Sequence, residues 1–314
     1  VNPVHDPHQL AALVKQKARS VGFDLVGICS AEPSRHGEFY RRWLDEGRAG
    51  AMHYLHERVD ERLDVAKFLP SAKSVICVAM NYYVPLAPTP HANPVKVARY
   101  ALGIDYHEHV KPRLYAIADW LRDAVPGAQT KCGVDTVPVL ERELATRAGI
   151  GWVGKNTCVI HPFQGSWFLL GEVVTTVELP FDEPMRDRCG TCTRCIDACP
   201  TGAIDQPYQL DAKRCISYLT IEQAGEVAPE LSTKFNGWAY GCDICQEVCP
   251  YNRAPPVALL DELQPRWPSG TVDAGAVESW TQDDYWRETR RSATRRVKLP
   301  IWKRNAVLAA GKSV

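Results

Sequence analysis

No sign of charge prevails in this sequence: Lys plus Arg number 37 and Asp plus Glu number 37 over 314 residues. A whole-protein basic field is therefore excluded, and any nucleic-acid surface has to be local. No run reaches the roughly 18 apolar residues of a membrane helix. Nor does a charged start lead into an apolar stretch, so no export signal is read and a reducing cytoplasm is expected. Internal repeats are missing, apart from paired cysteine motifs. Disulfides are not required either, because a 45% hydrophobic fraction can supply a proper core. Against these absences, twelve cysteines stand out. Eight lie between positions 189 and 249, while Cys29, Cys77, Cys132 and Cys158 are scattered.

Residues 189–200 read C-G-T-C-T-R-C-I-D-A-C-P. This is the bacterial ferredoxin run: three close thiolates hold one cubane cluster, and the fourth, before proline, reaches across to another. A partner run follows at Cys242, Cys245, Cys249 and Pro250, and Cys215 fills the place of its first cysteine from before a long excursion. The spacing thus predicts two [4Fe–4S] clusters, one on Cys189, Cys192, Cys195 and Cys249, the other on Cys199, Cys215, Cys242 and Cys245. Zinc is the alternative. Its ribbons separate two C-x2-C pairs by a dozen or more residues, which four cysteines in one short run do not match.

Before this module, helical and strand patterns alternate. Helices are expected over 6–21, 35–47, 107–124 and 138–148, and strands over 23–29, 74–83, 129–135 and 166–177. The four prolines of 85–94 predict a loop. The expected organisation is an α+β (α/β-type) domain over 1–180, a ferredoxin-like module over 181–256 and a helical segment over 257–314. Its last helix is expected at Trp302 to Ala310.

Some motifs promise more than they hold. Gly149 to Asn156 matches G-x-G-x-x-G and nearly a phosphate loop, but Asn156 stands where Ser or Thr must hold magnesium, and a helix precedes where a strand is needed. These glycines are expected instead to let backbone approach another large ligand. His107 and His109 point apart on a helix, which makes His107 an exposed helix start. The scattered cysteines read as small buried hydrophobes. Asp135 ends a strand just before a helix, and capping and site function remain equally open for it. Residues 287–304 hold eight Lys/Arg and one Glu, with Trp286 and Trp302 nearby. That basic, aromatic-bearing tail suits a phosphate backbone and an unstacked base, or else a solvated helix face.

Together the residues resemble the epoxyqueuosine reductase family, whose members complete queuosine in tRNA. The resemblance rests on Val134-Asp135-Thr136, Glu141-Arg142, Ala148 to Asn156, Gly165-Ser166, Leu170-Gly171-Glu172, Cys189 to Pro200, Arg214 to Thr220 and Tyr240 to Asp243, ending at Cys249-Pro250. It implies cobalamin in the first domain, electrons from the clusters, and the epoxide of epoxyqueuosine at the wobble position as substrate. By the family pattern Asp135 is the proton donor, and Arg62, Val159, Leu170, Ser217, Cys242 and Asp243 surround the cobalamin. One branch carries a cysteine near cobalt where this chain has Ala98, so no thiol role is transferred. Arg142 would oppose a raised Asp135 pKa if it pointed inward. Lys303 and Arg304 are expected to meet tRNA. An external low-potential electron donor and a monomeric state are also expected. Some members extend into helical repeats beyond the cluster module, whereas this chain ends soon after its first such helix. The competing readings are a cobalamin-dependent reductive dehalogenase and a simple dicluster electron carrier.

Overall fold

The computed structural model describes residues 6–312. These form nine strands: β1 (Leu25–Ser30), β2 (Ser74–Asn81), β3 (Pro94–Val97), β4 (Thr130–Gly133), β5 (Trp152–Val153), β6 (Val159–Ile160), β7 (Phe168–Thr175), β8 (Trp238–Tyr240) and β9 (Thr271–Asp273). The main sheet runs β1-β2-β7-β4, with every neighbouring pair antiparallel. All eight residues of β2 are buried, as expected of a central strand covered on both faces.

Alternation along the strands builds two cores. Ile76, Val78 and Met80 join Val173 on one face, where helices Pro7–Ser20 and Tyr106–Ala124 deliver Val14, Leu114, Ile117 and Leu121. Each of these helices starts on an aspartate: Asp6 accepts from the His8 amide at 3.0 Å, and Asp105 from the His107 amide at 3.0 Å. On the other face Val75, Cys77 and Ala79 meet Val174, Val159 and the Leu144–Ala145 side of helix Glu141–Arg147.

A second sheet, β8-β3-β9, crosses the domain boundaries expected from sequence. β3 pairs in parallel with β8 of the cysteine-rich region and antiparallel with β9 beyond it. Val95, Val97, Tyr240, Val272 and Trp302 share the core beneath. Residues 94–102 are thus tied to the later segments rather than to the main sheet. Trp302 is fully buried there, stacked at 5.7 Å on Tyr240, so it is a core residue and not a base platform. Cys29 and Cys77 are buried, as expected.

The glycines of 149–156 serve the chain itself, contrary to expectation. A Cβ on Gly151 would lie 2.3 Å from the Ile160 carbonyl oxygen, inside the β5–β6 hairpin. A Cβ on Gly149, at φ 71°, would lie 2.6 Å from the Glu183 carbonyl oxygen.

Candidate active site

Asp135 lies on the loop that leaves β4, with a left-handed φ of 53°. Asp tolerates this region better than most residues, though it still costs energy that neighbours must offset. The neighbours are visible. Tyr106 donates its hydroxyl to Asp135 Oδ2 at 2.8 Å, and His107 Nε2 stands 3.7 Å from the same oxygen. His107 is itself oriented by Asp105, whose Oδ1 lies 2.8 Å from Nδ1, and its ring stacks on Tyr106 at 4.1 Å. The hydrogen bond His107 donates to Asp105 raises the His107 pKa, with the Asp105 and Asp135 charges adding to it.

Two sequence readings are decided here. The helix after Asp135 begins at Glu141 with Leu140 at its N-cap position, so Asp135 caps nothing. His107 is not an exposed helix start but half-buried against Asp135. Its neighbour two residues on, His109, points into the core. Sequence spacing along one helix could not reveal a contact made across to another segment.

Two further carboxyls stand behind Asp135. Burial, reinforced by the Asp135 charge, pushes Glu141 up to about 7, with Arg142 opposing. Arg142 itself is exposed and donates to the Thr157 carbonyl at 3.0 Å. Glu172, on β7 opposite Cys77 and Gly133, is 1% exposed, and neither carboxyl oxygen has a partner. Burial first, then Glu141, Cys29 and Asp135, raise its pKa well above the usual carboxylate range. Its folded pKa therefore exceeds its unfolded one of about 4.3. Below the unfolded value the acid is neutral in both states. As pH rises past it, only the unfolded chain gains by ionising, so stability falls until the folded pKa is passed. Glu172→Gln removes that decline. The gap in Tm between the variant and its parent should widen steadily from pH 5 to pH 7, and parallel Tm–pH curves would contradict a neutral Glu172.

Around the Asp135 loop lie Tyr54, Arg62 and the Arg296–Glu222 ion pair, which act with Asp135 on the Tyr54 hydroxyl. Arg62 donates to the Tyr54 carbonyl at 3.1 Å, but its Nε is buried without a partner, as is His107 Nε2. Val159 and Leu170 belong to the same apolar face of the main sheet, Leu170 half-buried. Cys242 packs with Ala98, Tyr100 and Ile216, next to half-buried Ser217. Asp243 is 2% exposed and accepts from the Arg99 amide at 2.8 Å. Burial pushes this carboxyl up to about 7.

The eight clustered cysteines fall within the described residues. Cys189, Cys192, Cys195 and Cys249 line one cavity of about 170 Å3. Burial, then Cys189 and Cys249, push the Cys195 thiol up to about 11. Cys242 is raised by burial and then by Cys215, Asp243 and Cys199, while Cys245 feels Cys215 and Cys242. Among the described residues no three His, Cys, Asp or Glu side chains converge on a single-ion site. The first set instead lines a cavity it shares with Lys155, Arg188 and Arg194.

The Gly154–Cys158 loop clamps both sets. Lys155 Nζ donates to the carbonyls of Gly190 at 2.7 Å and Cys192 at 3.0 Å, and Asn156 Nδ2 to that of Cys245 at 3.3 Å. The lysine of the near-miss phosphate loop thus pins a thiolate loop. Cys158 departs from the sequence reading too, because it is only half-buried and its thiol neighbours Cys245 of the second set.

Comparison with known proteins matches residues 62–136 to the family described as epoxyqueuosine reductase QueG, DUF1730, and residues 188–252 to a 4Fe-4S double cluster binding domain. An epoxyqueuosine reductase of Synechococcus sp. (strain RCC307) is 41% identical over 96% of this chain and 94% of its own. The chain belongs to the epoxyqueuosine reductase family. The Escherichia coli (strain K12) member is 37% identical over 98% of this chain and 82% of its own. A solved epoxyqueuosine reductase with an epoxyqueuosine-modified tRNA-Tyr stem loop superposes with a TM-score of 0.89 at 32% identity, over 96% of this chain and 80% of that one. The Bacillus subtilis reductase, described with its catalytic aspartate loop swung out of the active site, gives 0.87 at 32%, over 96% and 81%.

In this family member the basic tail is largely engaged. Arg291 pairs with Glu108, and Arg296 with Glu222. Arg304 donates to the carbonyls of Leu219 at 2.8 Å, Gln223 at 2.7 Å and Gly225, and to Asn305 Oδ1. Its guanidinium therefore staples residues 219–225 and has little left for a phosphate. Lys303 is half-buried, Arg290, Arg295 and Lys298 are exposed, and Trp286 is 49% exposed.

Proposed function

We propose that this chain reduces epoxyqueuosine to queuosine at the wobble position of tRNA, with Asp135 as the proton donor. The observation that carries the reading is the Asp135 loop itself. It is held in a left-handed conformation by Tyr106 and aimed into a rim of unpartnered polar atoms, beside a double-cluster domain.

The reaction takes an epoxide, two electrons and two protons to an alkene and water. The departing oxygen needs a proton from a positioned acid, which is the part Asp135 plays. Tyr106 fixes one carboxyl oxygen and leaves the other free. His107, oriented by Asp105, is the nearest store from which Asp135 is reprotonated. The Asp135 side chain is 56% exposed.

Cysteines 189, 192, 195 and 249 are assigned to one cluster and 199, 215, 242 and 245 to the other. The donor set, all thiol and grouped four by four, fits [4Fe–4S] centres. These clusters, when bound, supply single low-potential electrons. Buried polar atoms without partners at Arg62 and His107, and the half-buried Leu170 face, fit a large ligand with polar edges such as cobalamin. Cobalamin, when bound, supplies the two-electron cobalt chemistry that no side chain offers. Arg62, Val159, Leu170, Ser217, Cys242 and Asp243 are the residues assigned to hold it. Ala98, buried among Ile216, Trp238 and Cys242, brings no thiol to that place. Lys303 and the exposed Arg290, Arg295 and Lys298 are assigned to tRNA phosphates, with Trp286 available for stacking.

Free cysteines and such clusters suit a reducing compartment, and no described helix is long and apolar enough to cross a membrane. A plain electron carrier has no use for the main sheet and its Asp135 loop. An anaerobic absorption titration of the cluster-loaded protein with cobalamin tests the cofactor assignment. A saturable spectral change is expected, and cobalamin that passes unretained through a desalting column would overturn it.

A further inference from the structure

We propose that the open side of the first cysteine set is the docking face for a small acidic one-electron carrier protein of the flavodoxin or ferredoxin kind. This deepens the function proposed above and rests on its cluster assignment.

The two cysteine sets differ in what surrounds them. The second backs onto the reaction cleft: Cys242 packs with Ala98 and Tyr100, and Tyr100 borders Asp135. The first faces solvent. Gly190, Thr191, Thr193 and Arg194 in its loop are exposed, and a Cβ on Gly190 would meet nothing within 4 Å. Electrons bound for Asp135's cleft therefore enter at the first set.

The charge lining that entrance has one sign. Lys155, Arg188 and Arg194 line the cavity formed by Cys189, Cys192, Cys195 and Cys249, and no carboxylate lines it. Asp187, which accepts from Tyr208 and the Cys189 amide, and Asp197, which accepts from Thr193, keep their charge but stand outside that lining. Beside the cations stands Phe163, 80% exposed at the tip of the His161–Gly165 turn. That turn is anchored here, since Arg188 lowers the His161 pKa after burial does, and Gly165 abuts Tyr251 and Asn252. A cationic rim with one exposed aromatic suits the small, electrostatically steered interfaces of redox encounters. A tRNA backbone would also be attracted by cations. The thiol set at the centre of this face favours the redox protein, because electrons must reach it.

Each encounter passes one electron: the carrier is oxidised by one and the first cluster reduced by one, and two encounters serve one epoxide. The test uses full-length protein with both clusters, mixed by stopped flow with reduced acidic flavodoxin. Arg188→Glu combined with Arg194→Glu should lower the second-order rate constant at low salt by about tenfold or more and flatten its salt dependence. Phe163→Ser, at an exposed tip whose ring meets the His161 ring edge-on at 5.9 Å, should lower it by about fivefold. Reduced methyl viologen, a small cation, should not be slowed by either change. Flavodoxin rates and salt slopes equal to the parent's in both variants overturn the proposal. So does loss of tRNA stem-loop binding with flavodoxin reduction untouched. Parent protein that takes up no iron, or is reduced by neither reagent, overturns the cluster assignment beneath it instead.

Discussion

Asp135→Asn is expected to leave fold, clusters and cobalamin binding in place and to cut turnover of epoxyqueuosine tRNA by about two to four orders of magnitude. An amide has nearly the volume of the acid and still accepts from Tyr106, so the loop keeps its geometry. What it lacks is the transferable proton. A merely local role would give little change, because the following helix starts at Glu141 and takes no cap from Asp135. Tyr106→Phe is the informative companion. It removes the hydroxyl that holds Oδ2 while leaving the acid, so its loss of turnover should be smaller than that of Asp135→Asn. Near-parental turnover in Asp135→Asn, with cofactors confirmed bound, would end the proton-donor assignment.

Cys215→Ala should lose one cluster and keep the other. Cys215 is the one assigned ligand from outside the two dense runs, at the residue preceding helix Ile216–Ile221. Its thiol is raised by burial, and its neighbours Cys199 and Cys158 add to the rise. Iron analysis of anaerobically reconstituted protein should fall from about eight irons per chain to about four. Full iron retention would mean that Cys215 ligates nothing, and loss of all iron would mean that the two sites are not separable.

Much of this was legible in the sequence because it is written at short range. β2 announced itself as an apolar run, and helices Pro7–Ser20 and Tyr106–Ala124 as helical patterns over 6–21 and 107–124. The double-cluster domain followed from ligand spacing. What stayed hidden depends on contacts between distant segments. β3, β8 and β9 are three or four residues long, too short to alternate, and only their pairing shows that the expected domains share a sheet. His107 sits beside Asp135 across 27 intervening residues, with nothing in its own helix to mark it. Glu172 looked like a family motif residue, and its isolation became visible only when β2 and β4 closed around it. Trp302 and Arg304 carried the composition of an RNA-binding tail, yet burial against Tyr240 and carbonyl contacts to 219–225 gave them structural work.

The central claim is a chemical conversion, and the direct measurement is a single-turnover reaction. Protein loaded with both clusters and cobalamin, under anaerobic conditions with a low-potential reductant, is mixed with a tRNA stem loop carrying epoxyqueuosine. Nucleoside mass spectrometry should show the wobble base losing one oxygen atom to become queuosine, with no conversion when cobalamin is withheld. An unchanged epoxide, in a preparation whose clusters are reduced and whose cobalamin is bound, would contradict the account.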